Sequence, residues 1–328
     1  MKPRQPVIPT SNVADLLRSM SLTGFQGRRL GESVEVWSRM IRDPECTIFF
    51  GLSGAMIPAG MQACVTELIR HRYIDVIVST GANVFHDLCE HLGIRHYLGY
   101  HHADDQVLFE QGIDRIYDVF AYEEEFRGVD QFIARFARDI APYRGSSPDF
   151  VERLGRKIIA ERPQGTSFVS EAVNHGVPIF VPALCDSSIG IGLVIARRQG
   201  VEVDVDQIAD TDQITKLVEN AKKTGVVYVG GGVPKNFIQQ TQVIASIHNQ
   251  QRRGHDYAIQ YTTDAPHWGG LSGCTFEEAI SWGKEAPEAP RVQCFCDATI
   301  SLPLVTSALI ARGEVRGNTT IINTAPPR

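Results

Sequence analysis

Short apolar segments alternate along the chain with longer segments in which apolar residues recur every three or four positions. The short segments have the length of buried strands, and the longer ones have the period of amphipathic helices. They predict strands at Cys46–Gly51, Asp75–Thr80, Val177–Pro182, Val226–Val229, Tyr257–Thr262 and Val292–Cys296. They predict helices at Pro58–Arg72, which a proline opens, and near His86–Leu92, Asp130–Ala141, Asp149–Ala160, Thr211–Lys223, Glu277–Trp282 and Leu302–Arg312.

This alternation predicts the fold class. Strands that are apolar on both faces and joined by helices are typical of an α/β protein with a doubly wound, mostly parallel sheet and helices on both faces. We expect residues 1–20 to form a short N-terminal arm and residues 21–328 to form one domain. The stretch Ala141–Pro148 contains proline and glycine and is predicted to be a mobile or linking segment.

Composition narrows the classes of partner. A formal net charge of −6 gives no basic field for nucleic acid or anionic lipid, so neither partner is expected. The seven cysteines contain no C-x-x-C pair, which is typical of a reduced cytosolic set. The first residues are followed by no apolar leader segment, and no apolar run reaches membrane-spanning length, so a cytoplasmic location is expected.

Ligands of a doubly wound sheet bind beyond the carboxyl ends of its strands, so the loops after the predicted strands are the candidate sites. The three glycines at 230–232 would let the backbone approach a pyrophosphate, or they form an ordinary turn. Lys235, at a predicted helix start after them, binds phosphate, raises the electrostatic field near the reactive amine or is solvated. Asp186 caps a helix or contacts a ribose. Gly190 and Gly192 lack the third glycine of a dinucleotide fingerprint, and we assign them to helix packing.

Lys284 is the candidate nucleophile. It follows a glycine and lies near Glu278 and Trp282 in sequence. Taken alone, a lysine here is typical of a solvated helix end, since an amine becomes reactive only where an apolar or cationic setting favours its neutral form. Glu278 holds an ammonium group or is a solvent-facing acid, and Trp282 offers an aromatic face to a cationic chain or fills the core.

The segment Ala279–Lys284 resembles the active-site lysine segment of deoxyhypusine synthases. Further matching segments occur in the family's order from about residue 20 to about residue 315. They are Thr23–Gln26, Cys46–Gly51, Asp75–Thr80, Pro182–Asp186, Gly230–Lys235 and Asp297–Ala298. The resemblance implies a Rossmann-like NAD-binding fold and a homotetramer with sites at subunit interfaces. It also implies that NAD is held by Thr80, Gly81, Asp186, Ser188, Gly230, Gly231, Gly232, Thr263, Asp297 and Ala298.

The resemblance further implies the chemistry. NAD takes a hydride from spermidine beside its secondary amine, because an unactivated C–N bond is not transferred until oxidation makes an imine. Lys284 then captures the butyl imine, diaminopropane leaves, an acceptor amine displaces Lys284, and NADH returns the hydride.

The chain departs from the family pattern mainly where substrate would bind. Asn236 stands in place of the usual active-site histidine. Apolar residues replace family acids at three positions, which are Ile191, Trp268 and Leu271. A buried ammonium group without a partner costs several kcal/mol. Either another group supplies the counter-charge, or the cationic ends of the substrate are spaced differently. The candidates for the counter-charge are Asp264, His267, Glu277 and Glu278. Phe85 and His86 replace an acidic pair, so one ribose contact is lost or is remade by His86.

These observations predict an NAD-dependent aminobutyl transferase with a polyamine donor and an amine acceptor. The favoured acceptor is a small diamine such as putrescine, because homospermidine synthases derived from this family also carry asparagine at the position of Asn236. One alternative is true deoxyhypusine synthesis on a lysine of a translation initiation factor. Another is a non-catalytic paralogue that binds NAD and polyamine. No metal is predicted, because His101, His102, Asp104 and Asp105 are merely neighbours in one loop.

Overall fold

The computed structural model describes residues 3–249 and 254–316. Its strands are β1 (Cys46–Leu52), β2 (Val76–Ser79), β3 (Tyr97–Leu98), β4 (Ile113–Ile116), β5 (Val119–Tyr122), β6 (Tyr143–Gly145), β7 (Ile179–Phe180), β8 (Val203–Val205), β9 (Lys223–Val229), β10 (Tyr257–Thr262) and β11 (Arg291–Phe295). Its α-helices are α1 (Val13–Met20), α2 (Phe25–Arg42), α3 (Gln62–Arg70), α4 (Gly81–Leu92), α5 (Asp105–Glu110), α6 (Glu123–Ile140), α7 (Ser147–Glu161), α8 (Phe168–His175), α9 (Ser188–Arg197), α10 (Gln207–Asn220), α11 (Gly232–Asn249), α12 (Phe276–Ser281) and α13 (Ala298–Ala311).

The central element is a six-stranded parallel sheet with the order β11-β10-β9-β1-β2-β7. The predicted doubly wound α/β fold is therefore confirmed. From β1 the chain builds outward through β2 to β7, and it then returns to the other side of β1 and builds outward from β9 to β11. The strand order thus reverses between β1 and β9, and a doubly wound sheet binds ligands in the crevice at this reversal.

Both faces of the sheet are covered, which explains why its strands are largely apolar. In β1, Ile48 and Phe50 belong to one buried cluster, whereas Phe49 belongs to a second cluster on the opposite face. Alternate residues of a strand point to opposite faces, so a strand covered on both sides buries side chains at successive positions and is mostly apolar. On one of these faces the indole of Trp37, from α2, is fully buried and donates a hydrogen bond to the carbonyl oxygen of Tyr73 at 3.1 Å.

Two predicted local features are wrong. The helix predicted at Pro58–Arg72 does not begin at Pro58, because residues 54–60 form turns and the observed helix, α3, begins at Gln62. The stretch 141–148 is not a linking segment, because β6 pairs with β8 and the helix α7 begins at Ser147. Ser147 is buried there, and its backbone N–H donates to a carboxylate oxygen of Asp210 at 2.6 Å.

Other elements were missed or anticipated only in outline. The pattern did not predict α2 or the three-stranded antiparallel sheet formed by β3, β5 and β4, and of α11 only the start after the glycines was predicted. Within the expected arm of residues 1–20, α1 places Leu17 in the core. The packing role of Gly192 is confirmed, because a Cβ there would lie 2.7 Å from side-chain atoms of Ile133 on α6.

No helix within residues 3–249 and 254–316 combines the length and the apolar character needed to cross a membrane.

Candidate functional site

The loops at the carboxyl ends of the central strands are tied together by backbone hydrogen bonds. The N–H of Ser53, which follows β1, donates to the carbonyl oxygen of Val229 at 3.0 Å. The N–H of Gly230 donates in turn to the carbonyl oxygen of Tyr261 on β10 at 2.8 Å. These bonds fix the position of the loop after β9 at the point where the strand order reverses.

The glycine turn at 230–232 needs glycine for conformation and for space. Gly230 and Gly232 have φ of +74° and +52°, a region that other residues rarely adopt. A Cβ on Gly231 would overlap the Cα of Ser272 and lie 2.9 Å from its Cβ, whereas a Cβ on Gly232 would meet no atom within 4 Å. The turn thus packs tightly on one side and is open on the other, at the N-terminus of α11. An open glycine turn at a helix N-terminus fits a pyrophosphate group.

The other predicted cofactor residues lie at the same edge of the sheet. Thr80 caps α4, accepting from the N–H of Asn83 at 3.2 Å and donating to the carbonyl oxygen of Gly54 at 2.8 Å. A Cβ on Gly81 would overlap the hydroxyl of Ser187, which joins the loop after β2 to the loop after β7. The remaining members lie at helix starts or just after a strand, and they are Asp186, Ser188, Thr263, Asp297 and Ala298.

The acids in this group are available to a ligand. Asp186 and Asp297 are both exposed, and Asp297 caps α13 by accepting from the N–H of Thr299 at 2.7 Å. Exposed carboxylates beside helix starts are suited to accept hydrogen bonds from ribose hydroxyls. The residues present therefore fit a dinucleotide.

His86 points into a different environment. Its Nδ1 lies 2.9 Å from Nε2 of His96, whose Nδ1 lies 2.7 Å from a carboxylate oxygen of Glu90. The rings of Phe85 and Phe126 pack against the His86 ring. Burial, followed by the charge of His96, lowers the pKa of His86 to about 3. The structure thus holds His86 as a neutral ring bonded to His96.

The candidate nucleophile is held by two predicted neighbours. Nζ of Lys284 donates to Oδ1 of Asn236 at 3.0 Å and lies 5.5 Å from the centroid of the Trp282 ring. Trp282 is 63% exposed, so the core interpretation of this residue is wrong. The chain reverses after α12 at Gly283, whose φ is +70°, and this turn carries Lys284 back towards α11. The Lys284 amine, the Asn236 amide and the Trp282 ring thus lie together, and we call these three groups the constellation around Lys284.

Lys235 lies beneath this constellation and is fully buried. Its Nζ donates to Oε1 of Gln260 at 2.9 Å and to the carbonyl oxygens of Leu271 and Cys274 at 3.3 and 2.6 Å. Burial lowers its pKa to about 8. The solvated interpretation of Lys235 is therefore wrong, and its hydrogen-bond network was not predicted. The signals for the network in the sequence are Gln260 and Gln293, polar residues within two predicted strands.

The predicted substrate residues divide into two groups. The first group is exposed on the side of the sheet where Lys284 lies, and its members are Asp264, His267, Trp268 and Glu278. Trp268 is 75% exposed. Leu271 is half-buried, and its carbonyl oxygen accepts a hydrogen bond from Nζ of Lys235. The predicted compensating acid Glu277 is instead paired with Arg291 at 3.2 Å.

The second group lies at the far side of the sheet. Ile191 is 52% exposed on α9, which follows β7. In the strand order, β7 is four positions from β10, which corresponds to about 19 Å at the usual strand spacing. Within one chain, therefore, the residues on this side lie far from the constellation around Lys284, and they are Ile191, Asp186 and Ser188.

Comparisons with known proteins agree on one family. The family model described as deoxyhypusine synthase matches residues 15–309. The chain is 58% identical over 308 residues to "Probable deoxyhypusine synthase 2" of Methanosarcina acetivorans, covering 94% of this chain and 89% of that protein. It is 54% identical over 292 residues to the protein of the same name from Archaeoglobus fulgidus, covering 89% and 96%.

A solved structure is similar in fold. It is a crystal structure described as a "putative deoxyhypusine synthase" from Entamoeba histolytica, with a TM-score of 0.63 at 18% identity, covering 93% of this chain and 95% of that one. This likeness shows the fold.

Proposed function

Because this chain belongs to the deoxyhypusine synthase family, we propose that it is an NAD-dependent aminobutyl transferase that carries the transferred group on Lys284. The donor is spermidine or a related polyamine, and the acceptor is a small diamine. The observation that carries the proposal is the contact of the Lys284 amine with Asn236 and Trp282 at the end of the sheet where the glycine turn lies.

The surroundings of Lys284 suit an amine that must be neutral when it attacks. The Asn236 amide oxygen accepts a hydrogen bond without carrying a charge, so it orients Nζ and adds no anion that would favour the ammonium form. Trp282 supplies an exposed aromatic face over which a polyamine ammonium group is attracted.

The proposed cofactor site supports hydride chemistry beside this amine. When bound, NAD would accept a hydride from the carbon next to the donor's secondary amine and return it after transfer. The glycine turn would take the pyrophosphate and Asp297 ribose hydroxyls, and Asp186, which lies apart from Lys284 in one chain, would take ribose hydroxyls in a site shared between chains. Glu278 is exposed near Lys284 and is the residue proposed to hold an ammonium group or move its proton.

The acceptor proposal depends on charge and access. Asn236 does not titrate, whereas the histidine usual at this position in the family would hold or release a proton near neutral pH. Trp268 and Trp282 make the rim aromatic, which suits a short flexible amine. Deoxyhypusine synthesis on a protein lysine is the alternative, and it would require a docking surface for the whole partner.

A competition assay tests the acceptor. The enzyme is given NAD, labelled spermidine, putrescine and a hypusine-type precursor protein together, and we expect most of the label in the small-amine product. Asn236→His should shift label towards the protein lysine, with Asn174→His, the same change at an exposed position of α8, as the matched control. Predominant labelling of the protein by the unaltered enzyme would overturn the diamine assignment. Absence of label in both products would favour the non-catalytic paralogue.

We further propose a homotetramer in which each site draws on two chains. The support is the separation of Asp186, Ser188 and Ile191 from Lys284 within one chain. Helices that begin at this edge of the sheet also carry exposed apolar residues that could pack against another chain, and they include Ile191, Val194, Val233 and Ile300.

Complementation tests this arrangement. Lys284→Arg and Asp186→Ala are each expected to be inactive alone. Mixed tetramers should recover part of the activity, because some sites would combine an intact Lys284 from one chain with an intact Asp186 from another. Inactive mixtures, in heterotetramers whose formation has been verified by mass spectrometry, would show that each site is built from one chain.

A further inference from the structure

A buried glutamine on β10 connects two segments of the proposed site. Gln260 is fully buried. Its amide nitrogen donates to the carbonyl oxygens of Gly230 and Ser272, at 2.8 Å in both cases. Gly230 belongs to the glycine turn, whereas Ser272 belongs to residues 271–275, which we call the loop before α12. One side chain thus bonds to the backbone of both segments.

The hydrogen-bonding capacity of the Gln260 side chain is filled. Its amide oxygen accepts from Nζ of Lys235 and from Nε2 of Gln293, at 2.9 Å in both cases. A glutamine amide offers two N–H donors and two acceptor sites, and all four are in use. Lys235 and Gln293 also donate to the carbonyl oxygen of Cys274, at 2.6 and 3.2 Å. The network therefore fixes the orientation of the amide and holds the loop before α12 at a second point.

The glycine turn and the loop before α12 also touch directly. The backbone N–H of Gly232 donates to the hydroxyl of Ser272 at 3.0 Å. A Cβ on Gly231 would overlap the Cα of Ser272, so the two backbones are packed against each other. Hydrogen bonds and packing thus join the turn and the loop into one unit, and Gln260 lies at its buried centre.

The joined segments have different roles in the proposed reaction. The glycine turn is the proposed pyrophosphate site. The loop before α12 leads into the helix that carries Glu278. Lys235, which holds this loop, is followed directly by Asn236, the hydrogen-bond partner of Lys284. A ligand that immobilises the turn should therefore also immobilise the segments around the polyamine, and a second ligand then loses less conformational freedom on binding.

We propose that Gln260 is a positioning residue that couples the NAD site to the polyamine site, so that each ligand strengthens the binding of the other. It acts through the carbonyl groups of Gly230 and Ser272. Coupling between two binding sites is reciprocal, so the same factor applies in both directions. The inference rests on the proposed function and deepens it, because it states how the two halves of the proposed site communicate.

Calorimetric titration of the full chain measures the coupling. Spermidine is titrated without cofactor and with saturating NADH, which cannot accept a hydride, so no reaction begins. We expect wild type to bind spermidine roughly 5- to 20-fold more tightly with NADH than without it.

Gln260→Glu tests the role of the amide. A carboxylate beside the ammonium of Lys235 is ionised. It keeps both acceptor contacts but cannot donate to the carbonyl oxygens of Gly230 and Ser272. The ratio of the two spermidine affinities should therefore fall to about 2 or less. A merely structural defect, or the added charge by itself, would change both affinities equally and leave the ratio at the wild-type value.

Two further variants complete this comparison. Gln242→Glu is the matched control, because Gln242 is also buried but its amide nitrogen bonds to Thr224 at the amino end of β9. The same substitution there should keep the wild-type ratio. Ser272→Ala removes only the hydroxyl that accepts from Gly232, and it should give an intermediate ratio. This milder variant also tests the coupling if Gln260→Glu does not fold.

Hydrogen exchange gives a readout that needs no ligand. In Gln260→Glu we expect the backbone N–H groups of the glycine turn and of the loop before α12 to exchange roughly 10-fold faster than in wild type, with those of β1 unchanged. Faster exchange in only one of the two segments would show that Gln260 does not join them, and would overturn the inference.

The outcomes distinguish this inference from the proposed function. A wild-type protein that binds NADH and spermidine independently of each other would overturn the coupling and leave the proposed function in place. The same holds if Gln260→Glu and Ser272→Ala both keep the wild-type ratio. A wild-type protein that binds neither ligand would contradict the proposed function and the coupling together.

Discussion

Lys284→Arg is expected to abolish aminobutyl transfer, by roughly a thousandfold or more, and to remove the adduct that borohydride traps after incubation with NAD and spermidine. Arginine keeps the positive charge and much of the length of lysine, but its guanidinium is effectively never neutral and cannot form the imine. The affinity for NAD should change little, because the residues proposed to hold NAD lie on other loops. Mass spectrometry of the reduced, digested protein and calorimetric titration with NAD measure the two effects.

Lys216→Arg is the matched control for this substitution. Lys216 is exposed on α10 and pairs with Asp212, so the same chemical change there should leave transfer and trapping intact. A butylamine mass increment on a lysine other than Lys284 would contradict the assignment of the nucleophile. Full turnover by Lys284→Arg would contradict covalent transfer through this residue.

The parts of the fold that the sequence predicted are those in which the local pattern and the tertiary structure agree. The strand Tyr257–Thr262 has the predicted bounds, because both faces of it are buried and every position had to be compatible with burial. For α11 the sequence predicted only the start after the glycines and not the extent of the helix. Its buried face mixes the polar Lys235, Gln239 and Gln242 with the apolar Phe237 and Ile238, so its hydrophobic period is weak.

The candidate site was predictable where chemistry is carried by a short segment. Lys284 and Trp282 lie two residues apart, and Asn236 lies just after the glycine turn, so motif matching named all three before their contact was visible. The buried Lys235 of α11 bonds to Gln260 on β10 and to the loop before α12, and no local pattern connects these segments. The bond between His86 and His96 likewise depends on how the chain returns after α4. Such contacts follow from tertiary packing.

The glycine turn allows a prediction in which cofactor binding and stability change together. Gly231→Ala is expected to lower the free energy of unfolding by about 2–3 kcal/mol and to weaken NAD binding. The added methyl group would overlap the Cα of Ser272, and backbone cannot move aside as a flexible side chain can. Ser272 lies between Leu271 and Cys274, whose carbonyl oxygens hold Lys235, so a shift of this loop would also leave a buried ammonium without partners.

Gly128→Ala is the control that isolates this steric argument. Gly128 is exposed within α6, and a Cβ there would meet no atom within 4 Å. The same substitution should therefore raise the free energy of unfolding by about 0.5–1 kcal/mol, through helix propensity, and leave NAD binding unchanged. Thermal unfolding and calorimetric titration of both variants decide the matter. If Gly231→Ala bound NAD as tightly as the wild type while remaining folded, the turn would not form the cofactor's pyrophosphate site, and the close packing of Gly231 on Ser272 would serve only to anchor the loop that holds Lys235.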